Sequence, residues 1–309
     1  MSASAATPLS LPEGLPRTAV IGAEGFLGRA FLEAYRRVHP GSIGTVRGAA
    51  VPGLARLDLA DPASRPPPLR DTGHREALIL AGVGSIVRCE RDPAGTRAVN
   101  VEGTLRLAEA LLAEGVRPVF FSSDYVFDGA RGGYREEDAA APGTEYGRQK
   151  AETEARLIKA CGGECRILRL SKVYAVERGG RTLLDELAAR LVAGDGVDAA
   201  DDSIFCPTLR EDLITAVALV QVRDLRGIVH VCGSEPRSWH ELASALASEL
   251  GVEPALVRRC KIDAVQRDPR RPKNISMRND RLVRATGCTF TPIAESVARV
   301  AALWREAGR

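Results

Sequence analysis

The chain has 309 residues, 45% hydrophobic and 27% charged, a make-up that fits a globular α/β domain with room for a smaller lobe and excludes a disordered chain. Its 43 basic and 40 acidic residues leave a formal charge of +3, spread along the whole length, which excludes nucleic acid and membrane surfaces as expected partners. Seven cysteines at irregular spacing imply no disulfide framework. Cys161 and Cys165 have no second pair to complete a zinc site, so no metal is expected.

Residues 1–16 carry neither a basic start nor a long apolar run, and no stretch elsewhere could span a bilayer. They are expected to be a flexible extension of a cytoplasmic protein. From residue 17 the pattern is strand, glycine turn, helix: the apolar run Thr18-Ala19-Val20-Ile21 leads into the turn, and helical spacing follows over 29–38. A weak strand fits 42–47, a third short element ends at Asp58, and the Pro-rich stretch 61–68 is loop. Residues 77–81 read as a strand buried on both faces. A helix is expected over 99–114, a buried strand over 118–121 ending at Ser122-Ser123-Asp124, a helix over 145–160 and a strand from 166 to 170.

Strands alternating with helices at this spacing predict an α/β fold, a doubly wound parallel sheet of Rossmann type. The remainder is less regular: a helix over 183–192, a strand over 227–232, and a helix to Leu250 opened by a Ser238/Glu241 capping box. A final helix is started by Thr291-Pro292. The expected domains are a dinucleotide-binding domain over 17–173 and a smaller C-terminal substrate lobe over 174–309, some of whose segments return to the core sheet.

A strand, then Gly22, Gly25 and Gly28, then a helix is the context of a dinucleotide turn. The glycines permit a sharp turn, a close approach of backbone to pyrophosphate, and tight helix–strand packing, while the helix start favours the phosphate charge. Phe26 and Leu27 lie within this turn and Ala81 at the end of the next buried strand. No acid falls between Glu33 and Asp58 to hold a ribose 2′-hydroxyl. Arg47 stands where the second strand ends and could pair a 2′-phosphate, so NADP(H) is expected over NAD(H). Asp58 and Leu59 are expected at the adenine.

Tyr146 and Lys150, four residues apart on a helix, share one face. Reducing a ketone requires a proton on oxygen as hydride reaches carbon, and a free phenol with a pKa of about 10 is a poor shuttle. An ammonium about 6 Å away, at an effective dielectric near 20, stabilises the phenolate by roughly 2.8 kcal/mol, which would bring it toward ~8. The pair follows the strand ending in Ser123 by about twenty residues, at the edge where open α/β sheets bind ligands. Ser123 can donate to the same carbonyl oxygen.

These segments, with Val99-Asn100-Val101-Glu102-Gly103-Thr104, Ser122-Ser123-Asp124-Tyr125-Val126-Phe127-Asp128-Gly129 and Arg271-Pro272-Lys273-Asn274, carry a resemblance. The sequence resembles the extended short-chain dehydrogenase/reductase family, and within it the dTDP-4-dehydrorhamnose reductase group. The resemblance implies NAD(P)H reduction of the 4-keto group of a nucleotide-linked deoxysugar. It implies Tyr146 as proton donor, Lys150 as its partner and as ribose ligand, and Ser123 as carbonyl-orienting donor. Asn100 would prop the active site beside the cofactor, and Asp124 and Tyr125 would lie near the sugar.

Two segments depart from the group: Ala81-Gly82-Val83-Gly84-Ser85 replaces an Ala-Ala-Tyr-Thr-like run, and Lys172 stands where the reductases tend to carry Trp beside the sugar. The sequence also resembles the non-catalytic, NADP-binding beta subunit of methionine adenosyltransferase, and that alternative stays open. A third reading is an epimerase or dehydratase of the same fold; a dehydratase would want an acidic pair near position 123, where only Asp124 is acidic. The expected partner is a nucleotide-sugar substrate; a homodimer is left open.

Overall fold

The computed structural model describes residues 9–266 and 270–306. All four residues of β1 (Thr18–Ile21) are buried, because the strand runs mid-sheet between β2 (Gly44–Val46) and β4 (Glu76–Ile79). With β3 (Leu54–Arg56), β5 (Arg117–Ser123), β6 (Arg166–Leu170) and β11 (Gly227–Val231) they form a seven-stranded parallel sheet, in the order β11-β6-β5-β4-β1-β2-β3. The alternation of side chains along each strand sends residues to two different cores. Val20, Leu78, Val119, Leu168 and Val229 meet α1 (Phe26–Val38) and α7 (Arg210–Val222) through Phe31, Tyr35, Leu213 and Val217. On the other face, Ile21 and Ile79 pack on Leu107 and Leu111 of α4 (Thr104–Ala113), while Phe120 and Ile167 pack with Leu157 of α5 (Glu145–Cys161).

Three differences from expectation have local causes. The helix expected over 29–38 begins at Phe26, directly on the glycine turn. The single helix expected over 99–114 is a π-helical stretch, Ala98–Gly103, followed by α4. Before it lie two unexpected short helices, α2 (Ile86–Arg91), capped by Ser85, and α3 (Pro93–Arg97), capped by Asp92 with proline in its first turn. Of the expected extension, residues 1–8 lie outside the described residues, whereas Leu15 is buried in the sheet's core and Leu9 and Leu11 pack against it.

Beyond β7 (Val173–Tyr174), α6 (Leu183–Val192) leads through β8 (Val197–Ala200), β9 (Ile204–Phe205) and β10 (Thr208–Leu209) into α7. After β11 come β12 (Arg237–Ser238) and α8 (Trp239–Leu250), the latter opened by the expected Ser238/Glu241 capping box, then β13 (Val257–Cys260) and α9 (Ile262–Val265). The chain ends in α10 (Asp280–Thr286) and α11 (Ile293–Glu306). Helices α6, α8 and α11 build a separate core from Leu187, Leu191, Leu242, Leu246, Val297 and Val300. Thr291 does not cap α11; its amide and hydroxyl both go to Asp212.

The amino-terminal end of the sheet is closed by polar groups. Arg166, fully buried, bonds Glu76 at 2.5 Å and Asp224 at 2.7 Å, and Gln221 donates to Glu76 and Thr18. The carboxyl end stays open and holds the site.

Candidate active site

Gly22 has φ of +90°, and a Cβ there would lie 2.8 Å from the Ala81 amide; at Gly28 it would lie 2.1 Å from the Gly22 carbonyl. Both positions therefore exclude a side chain, Gly28 because α1 sits tight on the turn. Gly25 is different. A Cβ there would meet only the Gly22 carbonyl at 3.6 Å, so the protein leaves the space before its backbone open, as a cradle for pyrophosphate requires. Phe26 is exposed at the start of α1, its ring under the Arg210 guanidinium at 5.1 Å; Leu27 is half-buried against the core.

Arg47 follows β2 directly and is exposed; its amide donates to Glu24 of the glycine turn at 3.4 Å. Sequence reasoning passed over Glu24, an acid of the glycine turn that contacts the end of β2. Asp58 and Leu59 line a cavity of about 260 Å³ with Gly103 and Arg106. A Cβ on Gly103 would come within 2.2 Å of the Leu59 carbonyl, so this glycine lets the loop after β3 lie on the π-helical stretch.

Asn100 is buried in that stretch. Its amide donates to the Val83 carbonyl (3.1 Å) and to Gln149 (2.8 Å), and its oxygen accepts from the Val83 amide (2.7 Å). Asn100 thus pins the loop after β4 to α5; Gln149 was missed in the sequence, although it lies between Tyr146 and Lys150.

Thr144 caps α5 by accepting from the Gly147 amide. A Cβ at Gly147 would lie 2.1 Å from the Tyr125 carbonyl, so glycine here lets the segment after β5 run against the helix start. This close approach sets Tyr125 and Tyr146 edge to face, centroids 6.0 Å apart. The Lys150 ammonium donates to the Phe121 carbonyl at 2.7 Å and lies 5.8 Å from the centre of the Tyr146 ring.

Burial lowers Lys150 to about 8, against the raising influence of Glu154, a carboxylate held by Arg169 and Ser122. Burial also pushes Tyr146 well above its ordinary 10, opposed by the Ser123 hydroxyl beside it. The expected depression of Tyr146 is therefore reversed, because desolvation of the phenolate is the largest influence on it.

The Ser123 hydroxyl donates to Asp124 at 3.0 Å and accepts from the Tyr125 amide, and Ser171 donates to the other Asp124 oxygen at 2.8 Å. Burial raises Asp124 to about 6, offset by Ser171, Ser123 and the Lys172 charge. Tyr125 is pushed up to about 12 by burial and then by Asp124, with Arg271 acting the other way.

Ser123, Asp124, Tyr125, Tyr146 and Lys172 line one cavity of about 280 Å³. Its far wall is formed by Phe205, Trp239 and Ile275 of the other core, with Ile262 and Arg271. The Lys172 ammonium lies 5.0 Å over the Trp239 ring, which tilts against Phe205. Trp239 thus gives the cavity an aromatic face opposite Lys172. The capping box announced the helix on which Trp239 sits, but nothing local announced that it faces Lys172. Among the described residues no group of three or more His, Cys, Asp or Glu is placed to hold a metal, and no helix is long and apolar enough to cross a membrane.

Comparison with known proteins shows the family. The family described as the RmlD substrate binding domain matches residues 17–305. The chain is 32% identical to a dTDP-4-dehydrorhamnose reductase of Sinorhizobium fredii over 259 residues, 80% of this chain and 86% of that one. It is 30% identical to a probable dTDP-4,6-dihydroxy-2-methyloxan-3-one 4-ketoreductase of Streptomyces antibioticus, over 88% of this chain and 89% of that one. The fold is similar to the crystal structure of dTDP-4-dehydrorhamnose reductase from Bacillus anthracis in complex with NADP, with a TM-score of 0.75, 21% identity, and coverage of 93% of this chain and 99% of that chain.

Proposed function

This chain belongs to the RmlD substrate binding domain family, and from that premise we propose that it is an NADPH-dependent reductase of the 4-keto group of a nucleotide-activated deoxysugar. The observation that carries the reading is the meeting of Ser123 and Tyr146 in one cavity, with the Lys150 ammonium behind the phenol ring. The glycine turn fits a dinucleotide, since Gly25 leaves the approach to its backbone open. The nicotinamide, when bound, supplies the hydride.

The chain's own residues do the rest. Tyr146 donates its proton to the carbonyl oxygen, and Ser123 orients that oxygen. Burial makes Tyr146 a weak acid in the free protein; it gives up the proton only where a developing alkoxide, more basic than phenolate, takes it. Lys150 spends one of its three N–H donors on the Phe121 carbonyl and keeps two for the phenolate and the ribose hydroxyls. Arg47 supports NADP(H) over NAD(H), pairing the 2′-phosphate while its backbone is held by Glu24. The segment 17–173 holds the cofactor and one wall of the substrate cavity, and 174–309 supplies the opposite wall and returns β11 to the sheet, in a cytoplasmic protein.

The test is NADPH oxidation by the purified protein with an enzymatically prepared 4-keto-6-deoxy nucleotide sugar. Tyr146→Phe is expected to lower kcat by about 10²–10⁴ with NADPH affinity kept, and unchanged turnover overturns the assignment. Tight NADPH binding without turnover across a panel of keto sugars would instead support a regulatory, non-catalytic subunit.

A further inference from the structure

Between its two walls the substrate cavity is bordered by the loop after β4, through Gly84 and Ile86. A Cβ on Gly84 would meet nothing within 4 Å, so Gly84 shapes the cavity only by where its backbone runs. That course is set one residue earlier. The Val83 amide donates to the Asn100 oxygen at 2.7 Å, and the Val83 carbonyl accepts from the Asn100 nitrogen at 3.1 Å.

This double bond forms in one orientation of the Asn100 amide. Turned over, its NH2 would face the Val83 N–H and its oxygen the Val83 carbonyl. The orientation is decided by Gln149, which is 1% exposed. The Gln149 nitrogen lies 3.0 Å from the Thr96 hydroxyl, 3.2 Å from the Pro93 carbonyl and 3.1 Å from the Glu145 carboxylate. Pro93 and Glu145 can only accept here, so the Gln149 NH2 must face them and its oxygen must face Asn100. That oxygen accepts from the Asn100 nitrogen at 2.8 Å, which leaves the Asn100 oxygen for the Val83 amide. The Asn100 backbone is held separately, by the Thr153 hydroxyl donating to its carbonyl at 3.1 Å. Gln149 therefore orients the amide, while the π-helical stretch has its own anchor.

We propose that Gln149 is a positioning residue for the substrate: by orienting the Asn100 amide it holds Val83, and through Val83 the Gly84 and Ile86 border of the cavity. It touches no reacting atom. Its effect on turnover rests on the reductase reading, whereas its hold on the loop does not. Ser123 ends β5, and Lys150 is tied to the Phe121 carbonyl of the same strand. The chemical step should therefore be spared, and the loss should fall on substrate binding.

The experiment compares the full chain with Gln149→Met, which keeps the side chain's length without its polar atoms. Thr96→Val is the second comparison, since it leaves the Pro93 carbonyl and Glu145 to orient the Gln149 amide. Gln149→Asn, too short to reach Asn100, replaces the methionine variant should that one fail to fold. Amide hydrogen exchange is read together with steady-state kinetics on NADPH and a 4-keto-6-deoxy nucleotide sugar. Gln149→Met is expected to speed exchange of the Val83 amide and to raise the sugar KM, each by about tenfold or more, with kcat and NADPH affinity within about threefold. Thr96→Val is expected to keep Val83 exchange and the sugar KM within about twofold of wild type. Retained NADPH affinity identifies variants that are folded.

Unchanged Val83 exchange in Gln149→Met overturns the hold on the loop. A fall in kcat at unchanged KM overturns the substrate role, because it puts the effect on the chemical step. Equal losses in Thr96→Val also overturn the proposal, because they trace the effect to the packing of α3. If the wild-type chain turns over no keto sugar, the reductase reading falls, and Val83 exchange still decides whether Gln149 holds the loop.

Discussion

Asp124→Asn tests what it costs this site to keep a carboxyl next to Ser123. Asp124 is 4% exposed, and burial lifts its pKa from 3.8 to about 6 despite Ser171, Ser123 and Lys172. The native state therefore holds this proton more tightly than the unfolded chain. Stability changes with pH in proportion to protons bound by the unfolded state minus those bound by the native state. Between about pH 4 and 6 that difference is negative, so the Asp124 contribution falls as pH rises through the window. Two pKa units at 1.36 kcal/mol each make the drop about 3 kcal/mol.

Asparagine does not titrate and removes the drop. It also has one acceptor oxygen instead of two, so the Ser123 or Ser171 hydroxyl loses its partner, at about 1 kcal/mol. The variant should thus be about 1 kcal/mol less stable than wild type near pH 4 and about 2 kcal/mol more stable near pH 7.5. Urea denaturation of both proteins at the two pH values measures this, with equal m-values as the condition for comparing midpoints. Parallel pH dependence of the two proteins would refute the reasoning, because it would mean that Asp124 titrates alike folded and unfolded.

Arg47→Ala should raise the Kd for NADPH by about tenfold, the loss of one charge-assisted contact at an exposed site, and leave NADH within about twofold; fluorescence titration with both cofactors measures the ratio. Arg166→Leu should cost about 2–3 kcal/mol, because it removes the buried partner of the Glu76 carboxylate and leaves it only Arg117 at 3.2 Å and Gln221. Adding Glu76→Gln should recover part of that loss in chemical denaturation, and no recovery would mean that the cost is packing alone.

The parts of the molecule governed by short-range rules were legible in the sequence. Thr18–Ile21 and the glycines after it declare a buried strand and a close backbone turn, because apolar continuity and the absence of Cβ are local properties. Tyr146 and Lys150 declare a shared helix face for the same reason. The stretch around Asn100 was placed in a helix, but its π-helical turn was not legible, because periodicity finds a helix without specifying its local winding.

Helices α2 and α3 were too short for any period; their caps, Ser85 and Asp92 followed by proline, were the available signal. The far wall of the cavity was not legible. Trp239 and Arg271 reach Lys172 and Tyr125 across large separations in the chain, and no local pattern specifies which side chains a folded cavity brings together. The reversed shift of Tyr146 has the same origin, since the spacing gave the distance to Lys150 but not the depth of burial.

One pairing has a bearing on how the cavity can open. β11 lies in the chain between segments of the substrate side, yet it completes the central sheet beside β6, in register from Gly227 opposite Arg166 to Val231 opposite Leu170. Lys172 leaves the carboxyl end of one of these strands, and Cys232, bonded through its carbonyl to Asn279, leaves the other. The two walls of the cleft are therefore stitched by a shared ladder rather than joined by a single hinge. A cut at 173/174 would not free a module, because the sheet would lose its edge strand. The protein is expected to melt as one cooperative unit, seen as a single transition in calorimetry of the full chain.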